Sequence, residues 1–179
     1  WAASGERPTF APPLNLERQE LLDQCQLGFG DVDVAGAKAA NMGVLCGLGA
    51  QGIRVPQGFV VPFAHYMRHL RTNHLDRQIR AFLASDARTG DPTRALTELQ
   101  DAIARAPVDP RLLAQVRTRI RALAPGGRVR LRSSTNAEDL PGFNGAGLYS
   151  SMALASDASD EAIAAGLRHI WGSVWNLGA

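Results

Sequence analysis

Nineteen of the 179 residues are lysine or arginine, and Lys38 is the only lysine, which leaves eighteen arginines. Such a bias fits a source that favours Arg, as GC-rich codons would, and a lone Lys is either a chance survivor or a position where Arg will not serve. An ammonium is a compact point charge on a flexible stem, whereas a guanidinium is a planar fork. Lys38 lies in Gly36-Ala-Lys38-Ala-Ala-Asn41-Met-Gly43, a glycine turn opening a helix. Free N–H groups at a helix start, with one ammonium beside them, form an anion site. The spacing is not that of a Walker A loop. A helix start bearing a solvated lysine is the plainer reading of the same residues.

A second stretch, RLRSSTNAEDLPGFNGAGLYSS (130–151), is too polar for core. Arg132 ends a strand and can present two parallel N–H donors to a phosphate. Ser133, Ser134, Thr135 and Asn136 add short hydrogen-bonding groups. Thr135 and Glu138 also have the spacing of a capping box, so part of this polarity can serve only to start a helical turn. Glu138 and Asp139 could organise the loop or stand near a cation. Gly142, Gly145 and Gly147 allow positive φ or a close backbone approach to a ligand. A plain flexible loop would not need the arginine, and a plain cap would not need three glycines.

Other candidate groups are weaker. His65 and His69 lie four apart, on one face of a helix, but no H-E-x-x-H pattern supplies a third ligand. These two, with His74 and His169, read as surface or satisfied core histidines. Cys25 and Cys46 have no metal-ligand spacing and sit in apolar, helix-like surroundings, which predicts reduced core residues of a cytoplasmic protein. No Ser-His-Asp or Cys-His grouping emerges.

The elements that must position these residues follow from periodicity and breakers. Residues 1–14 are rich in Pro and Ala and read as a linker or extended arm. Helical spacing is present over 16–27. Asp31 to Ala35 is β-branched and predicts a short strand before the Lys38–Leu48 helix, which Gly49 and Gly52 stop. Pro56 and Pro62 limit the pairing of IRVPQGFVVPF. Helices are predicted over 64–83 (one or two), 93–104, from Asp109-Pro110 to about Leu123, and over 159–177. RVRLR alternates and predicts a half-buried strand ending at Arg132, with a partner near 148–154. The seven arginines from Arg111 to Arg132 read as a wet helix face plus this strand end. With 45% hydrophobic and 20% charged residues and a net charge of +2, the chain reads as globular, with no general nucleic-acid surface and no membrane span. The class is α+β, helix-rich with a small mixed sheet.

At these segments the sequence resembles the N-terminal nucleotide-binding domain of the dikinases, a family that includes pyruvate phosphate dikinase, phosphoenolpyruvate synthase, the glucan, water dikinases and rifampicin phosphotransferase. The resemblance is carried by AGAKAANMGVL (35–45), VPQGFVVPFAHY (55–66), the R-S-S-x-x-x-E-D-L word within 130–151, and IWGSVWN (170–176), in the family's order. It implies the first lobe of an ATP-grasp domain over residues 15–179. By residue-by-residue match, Lys38 and Arg132 bind ATP phosphates and act in catalysis. Ser133, Ser134, Thr135, Glu138 and Asp139 belong to the nucleotide site, and Gly142, Gly145 and Gly147 to a loop closing over it. The lone lysine then has a reason.

The resemblance further implies a second lobe carrying the Mg²⁺ ligands, and phosphohistidine and substrate domains, all expected elsewhere in a longer chain, since none has its sequence here. ATP would phosphorylate a histidine on another domain, and the phosphate would pass to an acceptor. The GAGLYSS ending leans towards the glucan enzymes, so α-glucan stands beside pyruvate as acceptor. The family's usual Arg-Ala after Asn176-Leu177 is Gly178-Ala179 here. The rival expectation is a degenerate, non-catalytic nucleotide-binding or scaffold module.

Overall fold

The sixth helix shows how local signals set an element. Asp109 caps it, its carboxylate accepting the Arg111 N–H at 2.9 Å, and Pro110 opens it where no N–H is needed. Leu112, Val116 and Ile120 recur at four-residue spacing and are buried. Each such side chain contributes about 1.5–3 kcal/mol by leaving water. The computed structural model in which this is seen describes residues 12–52, 54–85, 90–137 and 150–176.

Among these residues there are seven α-helices: α1 (Val32–Ala35), α2 (Ala37–Cys46), α3 (Phe63–Thr72), α4 (Leu75–Leu83), α5 (Thr93–Arg105), α6 (Pro110–Leu123) and α7 (Asp160–Gly172). Four strands make two separate two-stranded antiparallel sheets. β1 (Leu22–Asp23) pairs with β2 (Phe59–Val60), and β3 (Arg128–Arg132) with β4 (Ser151–Ala155). The α+β, helix-rich class holds, but the single mixed sheet does not. Pro56 and Pro62 bracket β2 and keep its pairing to two rungs.

The β3–β4 pair alternates as its sequence demands. Val129, Leu131, Met152 and Leu154 face inward and pack with α6 and α7 into one hydrophobic cluster. A second cluster joins Leu22 and Leu27 to Val34, Ala35 and Ala39. The third lies between α3, α4 and α5, with Leu70, Leu99 and Ile103 beneath Trp171 and Trp175. Trp175 donates its indole N–H to the Tyr66 hydroxyl at 2.8 Å. Burial pushes the Tyr66 hydroxyl up to about 12, so it stays protonated.

Three expectations fail for physical reasons. Residues 16–27 form no helix. They run extended into β1 and then a 3₁₀ turn, Gln24–Gln26, capped by the Asp23 carboxylate on the Cys25 N–H. Asp31 to Ala35 is not a strand either. The Asp31 carboxylate accepts the Gly28 N–H at 2.8 Å and closes a 3₁₀ turn (Phe29–Asp31) that runs into α1. Turn chemistry there outweighs β-branching, whose preference depends on packing. Third, Cys25 and Cys46 are not reduced core thiols. Cys25 is exposed, Cys46 half-buried, and the two form a disulfide with Cα atoms 5.3 Å apart. Gly43 is the cause of their approach: a Cβ there would stand 2.7 Å from the Leu27 carbonyl carbon and 2.8 Å from the Gln24 oxygen. Only a glycine lets α2 lie this close to the 24–27 turn.

His65 and His69, on α3, are both buried. The His65 Nε2 donates to the Gln19 carbonyl at 2.7 Å. The His69 Nδ1 faces the Asn73 amide at 3.3 Å and the ring packs on Trp171, 4.8 Å between centroids, while its Nε2 has no partner among the described residues. The expectation of a satisfied core histidine therefore holds for His65 and fails for one nitrogen of His69. Burial holds both imidazoles below their usual range. Each therefore resists protonation in the native state and takes up a proton more readily when unfolded. Stability is thus fully present above about pH 6.5 and falls as pH drops from there towards the lowered native values. Urea denaturation between pH 7.5 and 5 is expected to show this loss, with a shallower slope in His69→Phe. Reducing the disulfide is expected to lower stability by about 3 kcal/mol, from the loop it closes. Thermal melts with and without reductant, and of Cys46→Ser, measure it.

Candidate phosphate-binding site

The first turn of α2 begins at Gly36, which cannot cap a helix with a side chain. Its φ of 85° is in the left-handed region open to glycine. The cap comes instead from a segment 95 residues away. The Ser134 hydroxyl accepts the Ala39 N–H at 3.0 Å, and the Thr135 carbonyl accepts the Ala37 N–H at 2.9 Å. Ser134 thus stands where an N-cap side chain would stand, on the third residue of the helix. The approach is close enough that a Cβ on Gly36 would overlap the Ser134 hydroxyl and lie 2.5 Å from the Ser134 carbonyl carbon. The two glycine-bearing segments singled out in the sequence are one unit in space. The expectation of a bare row of free N–H groups at this helix start is corrected: two of them are already taken by the loop.

This joint places the predicted residues as follows. Lys38 sits half-buried in the first turn of α2, and Arg132 is exposed at the end of β3, two residues before the capping serine. Ser133 is buried. The Thr135 hydroxyl is buried and has no partner among the described residues; Glu138, the other half of the predicted capping box, lies outside them. Asn136 donates its amide to the Pro13 carbonyl at 2.7 Å, and the Asn15 N–H reaches the Asp33 carbonyl at 2.9 Å. Residues 13–15 are therefore pinned between α1 and the loop. Glu138, Asp139, Gly142, Gly145 and Gly147 lie outside the described residues.

Sequence reasoning missed two partners. Ser134 as a cap in trans had one signal: a helix whose N-cap is glycine needs its oxygen from elsewhere. Ser151 had none; it receives the Arg130 guanidinium through Nε at 3.1 Å and Nη2 at 2.7 Å. A cleft of about 360 Å³ opens elsewhere, beside Gln19, His65, Arg68, Asp109 and Arg111. It contains neither Lys38 nor Arg132. Its groups are engaged with one another: Arg68 bonds the Gln19 side chain and faces Asp109 at 3.9 Å, and Asp109 caps α6. Among the described residues no group of three His, Cys, Asp or Glu could hold a metal, and no helix is long and apolar enough to cross a membrane.

Comparison with known proteins bears on this joint directly. The family described as "Pyruvate phosphate dikinase, AMP/ATP-binding domain" matches residues 32–179, which begin at α1 and contain both halves of the site. The chain belongs to this family. It is 34% identical over 130 residues to a phosphoenolpyruvate synthase of Pseudomonas aeruginosa, covering 68% of this chain. It is 31% identical over 161 residues (86%) to a probable phosphoenolpyruvate synthase of Methanothermobacter thermautotrophicus, and 26% over 158 residues (84%) to that of Escherichia coli. The matches take up only 16%, 23% and 20% of those proteins' lengths. As a pyruvate phosphate dikinase-type AMP/ATP-binding domain, the chain is a nucleotide-binding domain of the dikinase family.

The interlock at its α2 start has a measurable energetic weight. Ser134→Ala removes a cap and is expected to cost about 1 kcal/mol. Gly36→Ala, which strains φ and collides with backbone, is expected to cost more, on the order of 2 kcal/mol or above. Equilibrium urea denaturation of both variants against wild type gives the order, and an order reversed from this would discount the interlock.

Proposed function

We propose that this domain is the first lobe of an ATP-grasp unit in a dikinase-type phosphotransferase. In the intact protein, ATP would phosphorylate a histidine on another domain, and that phosphate would pass to an acceptor, pyruvate or an α-glucan. The observation carrying the reading is the interlock of the Lys38 helix with the Arg132 strand end through Ser134 and Thr135. It joins a compact ammonium and a planar fork to one short piece of backbone. Phosphoryl transfer asks a protein chiefly for positioning and charge neutralisation, and these two side chains supply positive charge from a rigid support. Ser133, Ser134 and Thr135 shape the support, Glu138 and Asp139 are assigned with them to the nucleotide site, and Gly142, Gly145 and Gly147 to the covering loop. Carboxylates of the second lobe would hold Mg²⁺, which would help to neutralise phosphate charge.

Removing a phosphate contact of this kind costs about 2–4 kcal/mol in the transition state. Lys38→Ala and Arg132→Ala are therefore each expected to slow ATP-dependent phosphorylation of the intact protein by roughly 30- to 1,000-fold. Transfer of labelled γ-phosphate to protein reads this out. Near-normal rates in both variants would sink the assignment of Lys38 and Arg132, and no transfer in the wild type would point instead to a non-catalytic nucleotide-binding or scaffold module.

A further inference from the structure

Strand β3 carries Arg128, Arg130 and Arg132 on one face, each exposed, while Val129 and Leu131 turn to the core. Alternate residues of a strand are about 7 Å apart, so the three arginines form a row. Their cross-strand partners are Ala155, Ala153 and Ser151. No carboxylate stands opposite any of them. Among the described residues the ion pairs engage Arg18, Arg68, Arg80, Arg94, Arg105, Arg117 and Arg168, and none engages this row.

The row is not uniform. Arg130 lies opposite Ala153, yet its guanidinium reaches along the sheet to the Ser151 hydroxyl, 3.1 Å from Nε and 2.7 Å from Nη2. Ser151 is the partner of Arg132. The Arg130 head is thereby drawn onto the rung that Arg132 occupies, at the end of the row nearest the Ser134 interlock. Two N–H groups of Arg130 are spent on Ser151, and three of the five that a guanidinium carries remain. Two like charges brought together repel each other, and an anion between them relieves the repulsion. Each planar fork takes one phosphate in bidentate fashion.

We propose that Arg130, aimed by Ser151, is a second phosphate-binding residue beside Arg132, so that the site selects a chain of linked phosphates over a single one. This rests on the assignment of Arg132 to phosphate made above. Arg128, which has no such tether, lies outside the subsite.

Titration calorimetry of the intact protein at low salt, with inorganic tripolyphosphate and with orthophosphate, tests the proposal. Arg130→Gln is expected to weaken tripolyphosphate about tenfold or more, the loss expected for charge-assisted hydrogen bonds, and to leave orthophosphate within about twofold. Ser151→Ala is expected to give part of that loss, and Arg128→Gln none. Unchanged tripolyphosphate binding in Arg130→Gln, with Arg132→Gln weakening both anions, would overturn the second subsite and leave the first standing. If Arg132→Gln alters neither anion, the assignment of Arg132 falls and the second subsite with it. Circular dichroism of each variant confirms that the exposed substitutions leave the fold intact.

Discussion

The site depends on a helix that cannot cap itself. Helix α2 starts at a glycine, and two of the hydrogen bonds it lacks are met by Ser134 and Thr135 from a segment distant in sequence. A helix start left unmet in a buried setting is costly, so the fold that satisfies α2 is also the fold that brings β3 to it. The same two bonds that stabilise the helix set the positions of Lys38 and of the strand end that carries Arg132. Stability and site geometry are one constraint here.

Around that joint the remaining parts act as supports. Gly43 and the Cys25–Cys46 disulfide hold the other end of α2 against the 24–27 turn, so the helix is fixed at both ends. The inward face of β3–β4 is fixed by α6 and α7 through Val129, Leu131, Met152 and Leu154. Trp171 packs against both this cluster and the one beneath α3 to α5. What faces outward from these supports is charge: Lys38 half-buried, Arg130 and Arg132 exposed.

Much of this was legible in the sequence, and unevenly so. Helices α5, α6 and α7 follow their periodicity, and Asp109 and Ser159 cap as their types suggest. The RVRLR alternation places its arginines outward. The family words in the sequence hold against the family match over residues 32–179. The errors cluster between residues 16 and 46. There the outcome was decided by side-chain-to-backbone bonds at Asp23 and Asp31 and by a close approach at Gly43, none of which leaves a periodic signal. The cysteines were misread because sequence surroundings looked apolar while the fold puts Cys25 at the surface. The candidate site could be named from residue types, since Lys38 and Arg132 stand out by rarity and by position. That Ser134 serves the helix, and that Arg130 leans on Ser151, are facts of tertiary contact.

The last rung of the β3–β4 ladder pairs Arg132 with Ser151, so the chain leaves this sheet after Arg132 and re-enters it at Ser151, on the same rung. Asn136 is tied to Pro13 on the outgoing side, and the Ser150 N–H meets the Ser173 hydroxyl at 3.3 Å on the return. An excursion hung from a single rung adds little to the work of folding: doubling the length of such a loop costs only about 0.6 kcal/mol in closure entropy. The ladder and its register do not depend on how many residues the excursion holds. Changes in the number of residues joining Asn136 to Ser150 are therefore cheap for the scaffold.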